Sequence, residues 1–211
     1  MATKAVFLDA LGTLVELEPP WVTLRPVVPG EVSDERLVEA VRAEMAYYKQ
    51  HAHEGRDADS LADLRERCAA LISRKLGVEL TVGQLVGSVR FSTYLDAKPA
   101  LEELRGRGLK LVVVSNWDCS LGSVLDRCGV GGMVDGVVSS AGSGHRKPDP
   151  GIFGPALELA GCEPGEALHV GDTPGEDDEG ARAAGIPVLL VDRDGGGDIA
   201  SLREIVEHLA P

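Results

Sequence analysis

Short, predominantly apolar runs punctuate the chain, and between them apolar positions recur every three or four residues. The runs are Val6–Leu8, Leu109–Val114, Ala167–Val170 and Val188–Val191, with Val134–Ser139 strand-like as well. A run without a polar face predicts a strand buried on both sides. Pro99 and Gly108 bracket a helix ahead of Leu109, and Ser120 and Gly129 bracket another over Leu121–Cys128. Asp149 can cap a helix that Pro150 opens and that continues to Ala160. Ile199, Leu202, Ile205, Val206 and Leu209 share one face of a last helix. Strands alternating with helices predict an α/β fold, a doubly wound parallel sheet of Rossmann type.

Between Leu17 and Tyr94 the periodicity changes. No convincing strand is visible there. Leu37, Val41, Met45 and Tyr48 line one helical face, and Leu61, Leu64, Cys68, Leu71 and Ile72 line a second. Thr81 and Gln84 form a possible capping box ahead of Leu85. The expectation is a helical insertion over residues 17–94, interrupting an α/β core made of residues 1–16 and 95–211.

Charge narrows the partners. Within 211 residues, 34 acidic side chains outnumber 21 basic ones, a formal net charge of −13. Such a surface repels phosphate backbones and anionic lipid, so neither nucleic acid nor a membrane is an expected partner. Cys68, Cys119, Cys128 and Cys162 form no C-x-x-C pair and read as buried reduced thiols. Asp9 interrupts the first apolar run, so the N-terminus does not read as a signal peptide, and a cytoplasmic protein is expected. Either a monomer or a homodimer fits the sequence.

In parallel sheets ligands bind beyond the carboxyl ends of the strands. The residues that follow the predicted strands are Asp9-Ala10-Leu11-Gly12-Thr13-Leu14, Ser115-Asn116-Trp117-Asp118 and Gly171-Asp172-Thr173-Pro174-Gly175-Glu176-Asp177. His145-Arg146-Lys147-Pro148-Asp149 precedes the Pro150 helix. A carboxylate, a hydroxyl, an ammonium and two further carboxylates thus converge on one rim. The set suits phosphoryl chemistry: a carboxylate can be the nucleophile, a hydroxyl and an ammonium can hold the anion, and paired carboxylates can hold Mg²⁺.

These four segments, in this order, resemble the signature motifs of the haloacid dehalogenase-like hydrolase superfamily. The helical insertion falls where one subgroup of that family carries a cap. The resemblance implies that Asp9 is a nucleophile and that Lys147 neutralises charge beside it. It implies that Ser115, Asn116 through its backbone N–H, and Thr13 hold the transferred group. It further implies an Mg²⁺ site formed by Asp9, Asp172, Asp177 and the backbone carbonyl of Leu11. The substrate it implies is a small, phosphorylated molecule.

One position departs from the family pattern. Phosphatases of the superfamily carry a second aspartate two residues after the nucleophile, as general acid and base, and this chain has Leu11 there. Such help is typically worth about 10²–10⁴-fold in rate. Either another group supplies it, or the leaving group departs without a proton, or the chemistry differs. The dehalogenase branch also lacks the second aspartate, and its first motif, Asp-Ala-Tyr-Gly-Thr-Leu, is close to Asp9–Leu14. Its fourth motif lacks an acid at the place of Asp172, which argues here for a metal and against dehalogenation. The alternatives to a phosphatase are attack at carbon by Asp9, or a fold that binds without turnover.

Overall fold

The computed structural model describes residues 2–210. Five parallel strands form the central sheet: β1 (Ala5–Leu8), β4 (Lys110–Ser115), β5 (Gly136–Ser139), β6 (Ala167–Gly171) and β7 (Val188–Leu190), in the order β5-β4-β1-β6-β7. Alternation along the strands divides the core in two. Val6, Leu8, Leu111 and Val113 face one cluster, completed by Ala100, Leu101 and Leu104 of helix α5 (Ala97–Gly106) and by Ile199, Leu202 and Ile205. Ala5, Phe7, Val112 and Val114 face the other, with Phe153 and Ala156 of helix α8 (Phe153–Ala160). Both faces are covered, which is why these strands tolerate no polar side.

Strand order also fixes where a site can form. From β1 the chain crosses to β4 and β5 on one side, then returns to β6 and β7 on the other. The switch point therefore lies at the carboxyl end of β1, and Asp9 is the next residue.

Between β2 (Val15–Leu17) and β3 (Phe91–Thr93) lie four helices: α1 (Pro20–Leu24), α2 (Asp34–His51), α3 (Ala58–Leu76) and α4 (Val82–Ser88). They enclose an apolar cluster of their own, with Leu37, Val41, Leu64, Cys68, Ile72 and Leu85 at its centre. The reciprocal Thr81–Gln84 capping box opens α4 as expected.

Four sequence expectations need correction. Residues 91–93 do form a strand, antiparallel to β2. Three half-buried residues carry too little pattern to announce it, and the pairing is made with a segment 76 residues away at Glu16–Ser92. Ser120 does not cap α6 (Leu121–Arg127) through its side chain. Instead, Asp118 Oδ1 accepts from the Ser120 N–H at 2.6 Å. The last helical stretch is a 3₁₀ segment over Leu202–Glu207, and the spacing of three between Ile199, Leu202 and Ile205 suits three residues per turn. All four cysteines are free, but only Cys68 is buried and Cys119 is exposed.

No described helix is long and apolar enough to cross a membrane.

Candidate active site

Asp9, at the end of β1, is 6% exposed, and its Oδ1 accepts from Lys147 Nζ at 2.5 Å. The same ammonium donates to Asp177 Oδ1 at 2.5 Å. Lys147 is itself wholly buried. Burial disfavours its charged form, but the Asp9 and Asp177 carboxylates outweigh this and hold its pKa above the usual lysine value.

Asp177 lies within the helical turn Pro174–Asp178 after β6, and its Oδ2 accepts from the Thr173 N–H at 3.0 Å. Burial raises this carboxyl, but the hydrogen bond from His169 and the charge of Lys147 prevail, holding it well below the usual carboxylate range. His169 points from the middle of β6 into the same cluster, with Nε2 2.8 Å from Asp177 Oδ1. Burial depresses the imidazole, which favours its neutral form. Asp177, being ionised, only accepts, which places the His169 proton on Nε2.

Asp172 follows β6 directly and opens to the cavity. Burial raises its carboxyl, and Asp177 raises it further. Its approach to the first loop depends on Gly12, where φ is +87° and a Cβ would overlap the Asp172 carboxylate. Asp9 is pushed up to about 6, mainly by burial and then by Asp177 and Asp172, against the pull of Lys147.

Asp9, Asp172 and Asp177 each offer one carboxylate oxygen, and these atoms lie within 4.8 Å of one another. One ammonium against three carboxylates leaves two negative charges uncompensated. All the donors are hard oxygens. A divalent cation such as Mg²⁺ fits this set in charge and in donor chemistry.

Above the cluster is a cavity of about 450 Å³. Ser115, Asn116, Asp172 and Thr173 line its floor, and α2 and α4 line its roof. Two polar contacts join roof to floor: Tyr48 OH donates to Asp118 Oδ2 at 2.7 Å, and Lys49 Nζ lies 3.2 Å from Glu176 Oε1.

The haloacid dehalogenase-like hydrolase family matches residues 3–185. The chain belongs to this family. Haloacid dehalogenase-like hydrolase domain-containing protein 3 of Bos taurus is 45% identical over 95 residues, covering 45% of this chain and 38% of its own length. A phosphatase of Mycobacterium tuberculosis is 38% identical over 126 residues, covering 56% of this chain and 58% of its own. The chain therefore spans less than two thirds of either relative. The L-2-haloacid dehalogenase structure from Xanthobacter autotrophicus superposes with a TM-score of 0.74 at 23% identity, covering 99% of this chain and 100% of that one, which shows a shared fold.

Of the residues singled out from the sequence, Asp9, Leu11, Ser115, Asn116, Asp172 and Asp177 all line the cavity. Lys147 lies beneath it, joined to Asp9 and Asp177. Thr13 is not brought to the cavity: it is fully buried, its hydroxyl has no partner, and its carbonyl accepts from Arg193 Nη2 at 2.9 Å. Leu11 is 39% exposed, toward the cavity.

Two residues escaped the sequence reading. His169 had a readable signal, as the one polar side chain inside the Ala167–Gly171 run. Glu176 had none within its acidic run. It accepts from Asn116 Nδ2 at 3.1 Å and faces Lys49, whereas its neighbour Asp178 pairs with Arg182 at 2.7 Å on the surface.

Proposed function

We propose that this chain hydrolyses a small phosphate ester by way of an aspartyl-phosphate at Asp9, with Mg²⁺ held by Asp9, Asp172, Asp177 and the Leu11 carbonyl. The observation that carries this reading is the buried Lys147 ammonium shared between Asp9 and Asp177, with Asp172 beside them. Helices α1–α4 act as a cap over residues 17–94.

Asp9 Oδ1 is held by Lys147, so Oδ2 is the oxygen free to attack phosphorus. The P–O bond to the leaving group breaks as the Asp9 bond forms, and the leaving group departs with the electron pair. Ser115 and the Asn116 N–H receive the phosphoryl oxygens. Lys147 holds Asp9 in line and balances the charge of the anion. Water then attacks the acyl phosphate, releasing phosphate and restoring the Asp9 carboxylate. Bound by Asp9, Asp172 and Asp177, Mg²⁺ would supply neutralisation of the negative charge gathered at the site.

No acid stands at position 11, and the nearby Asp118 is already engaged, its two oxygens accepting from Tyr48 and from Ser120. The reading therefore favours esters whose leaving group departs as a stable anion, such as aryl or acyl phosphates.

Phosphate release from p-nitrophenyl phosphate and a panel of small esters tests the reading. Release that requires Mg²⁺ and is abolished in Asp9→Asn is expected. Absence of release, beside an active control phosphatase, overturns it. Leu11 favours one competing reading, attack at carbon. Halide release from 2-haloacids that persists in EDTA would establish that one instead.

A further inference from the structure

The cavity roof carries a carboxyl that the chemistry above does not use. Glu44 lies on the buried face of α2, one turn before Tyr48, and is 8% exposed. Val41, Met45, Cys68, Leu85 and Ser88 line the cavity around it. The Cys68 thiol, a weak donor, lies against its carboxyl. The Ser88 hydroxyl is turned to the Leu85 carbonyl at 2.6 Å. Arg67 is engaged by Glu54, Asp63 and Tyr47. Arg65 lines the same cavity but forms no ion pair with Glu44 among the described residues.

A buried carboxylate is ordinarily paired, because leaving water costs it more than packing returns. At this position on α2 a leucine would complete the apolar cluster of the four helices. Burial pushes the Glu44 carboxyl up, against the weak Cys68 hydrogen bond, and no cationic side chain pairs with it among the described residues. The missing partner has one place from which to come, the cavity itself.

We propose that Glu44 is a specificity-determining residue that receives an ammonium group on the substrate, at the end remote from the reacting phosphoryl group. This rests on the phosphoryl reading of the Asp9 site. The floor takes the anion, the roof takes the cation, and Leu11, Met45, Phe91 and Trp117 enclose an apolar spacer between them. The substrate class is an amine-bearing organic phosphate.

The test is calorimetric binding, which needs no turnover. ω-Aminoalkyl phosphonates and alkyl phosphonates of matched chain length are titrated into the full chain with Mg²⁺. The wild type binds the amino series about tenfold more tightly or better, the scale of one charge-assisted hydrogen bond. In Glu44→Gln this preference falls to about twofold or less. Glu44→Leu loses the preference and melts at a higher temperature, whereas a purely structural glutamate would make it melt lower. Equal binding of the two series by the wild type, no binding of either, or a preference that survives in Glu44→Gln overturns the proposal. Amine preference without any phosphate release would overturn the hydrolytic reading and leave this one standing.

Discussion

Asn116 holds the backbone of Lys147 from both sides. Its Oδ1 accepts from the Lys147 N–H at 2.8 Å, and its Nδ2 donates to the Lys147 carbonyl at 3.0 Å. The same Nδ2 reaches Glu176. One amide side chain thus ties together three loops that belong to three different strands, and it sets where the Lys147 ammonium lies relative to Asp9.

Replacing it tests that relationship. Asn116→Ala leaves two buried backbone groups without their side-chain partners, a loss of about 1–3 kcal/mol. The freed lysine no longer holds Asp9 in line, so kcat falls by about 10–100-fold on any ester the wild type turns over. Melting temperature and the initial rate of phosphate release measure the two effects separately. Unchanged kcat would mean that Lys147 is held by Asp9 and Asp177 alone.

Leu11 makes the second prediction. It is 39% exposed toward the cavity, so an aspartate there meets water and packing changes little. Leu11→Asp introduces the missing acid beside Asp9. Hydrolysis of alkyl phosphates, with poor leaving groups, is expected to rise by about 10²–10⁴-fold. That of p-nitrophenyl phosphate rises far less, because nitrophenolate needs no proton. A parallel rise in both would show that the substitution acts through binding.

A third prediction concerns stability. Asp96 precedes α5, and its Oδ2 accepts from Arg193 Nη1 at 2.7 Å, from Ser201 Oγ at 2.9 Å and from the Leu202 N–H at 2.9 Å. Burial raises this carboxyl, but the Arg193 and Leu202 hydrogen bonds prevail and lower it from 3.8. The folded state therefore favours the ionised form. Its stabilisation is complete above the unfolded pKa and is lost as pH falls through the folded one. Asp96→Asn is expected to lower stability by about 1–3 kcal/mol near neutral pH. The gap from wild type closes in strong acid. Urea denaturation at neutral and acid pH checks both the size and the sign.

Much of the site was legible because carboxyl ends of parallel strands collect ligand chemistry. Once the apolar runs marked the strands, the polar residues following each became candidates, and Asp9, Ser115, Asn116, Asp172 and Asp177 all line one cavity. Thr13 shows the limit of this reasoning. It lies in the same loop as Asp9, but the loop turns at Gly12 and carries its side chain into the core. Glu176 was indistinguishable from Asp178 in the sequence, since an acidic run at a helix start is explained by the helix dipole alone.

The sequence by itself determined the positions of the five strands of the central sheet, the helical character of the long insertion and the order of the reactive segments. Those are properties of local pattern: apolar runs, periodic faces and capping residues. Only the tertiary structure decided which side chains are partners. Asn116 around Lys147 and Tyr48 on Asp118 join residues 31 and 70 positions apart, and His169 against Asp177 and the buried Glu44 in the cavity roof are equally products of packing. Their hydrogen bonds and desolvation depend on separations of a few ångströms, which strand order and helix packing establish and local pattern does not encode.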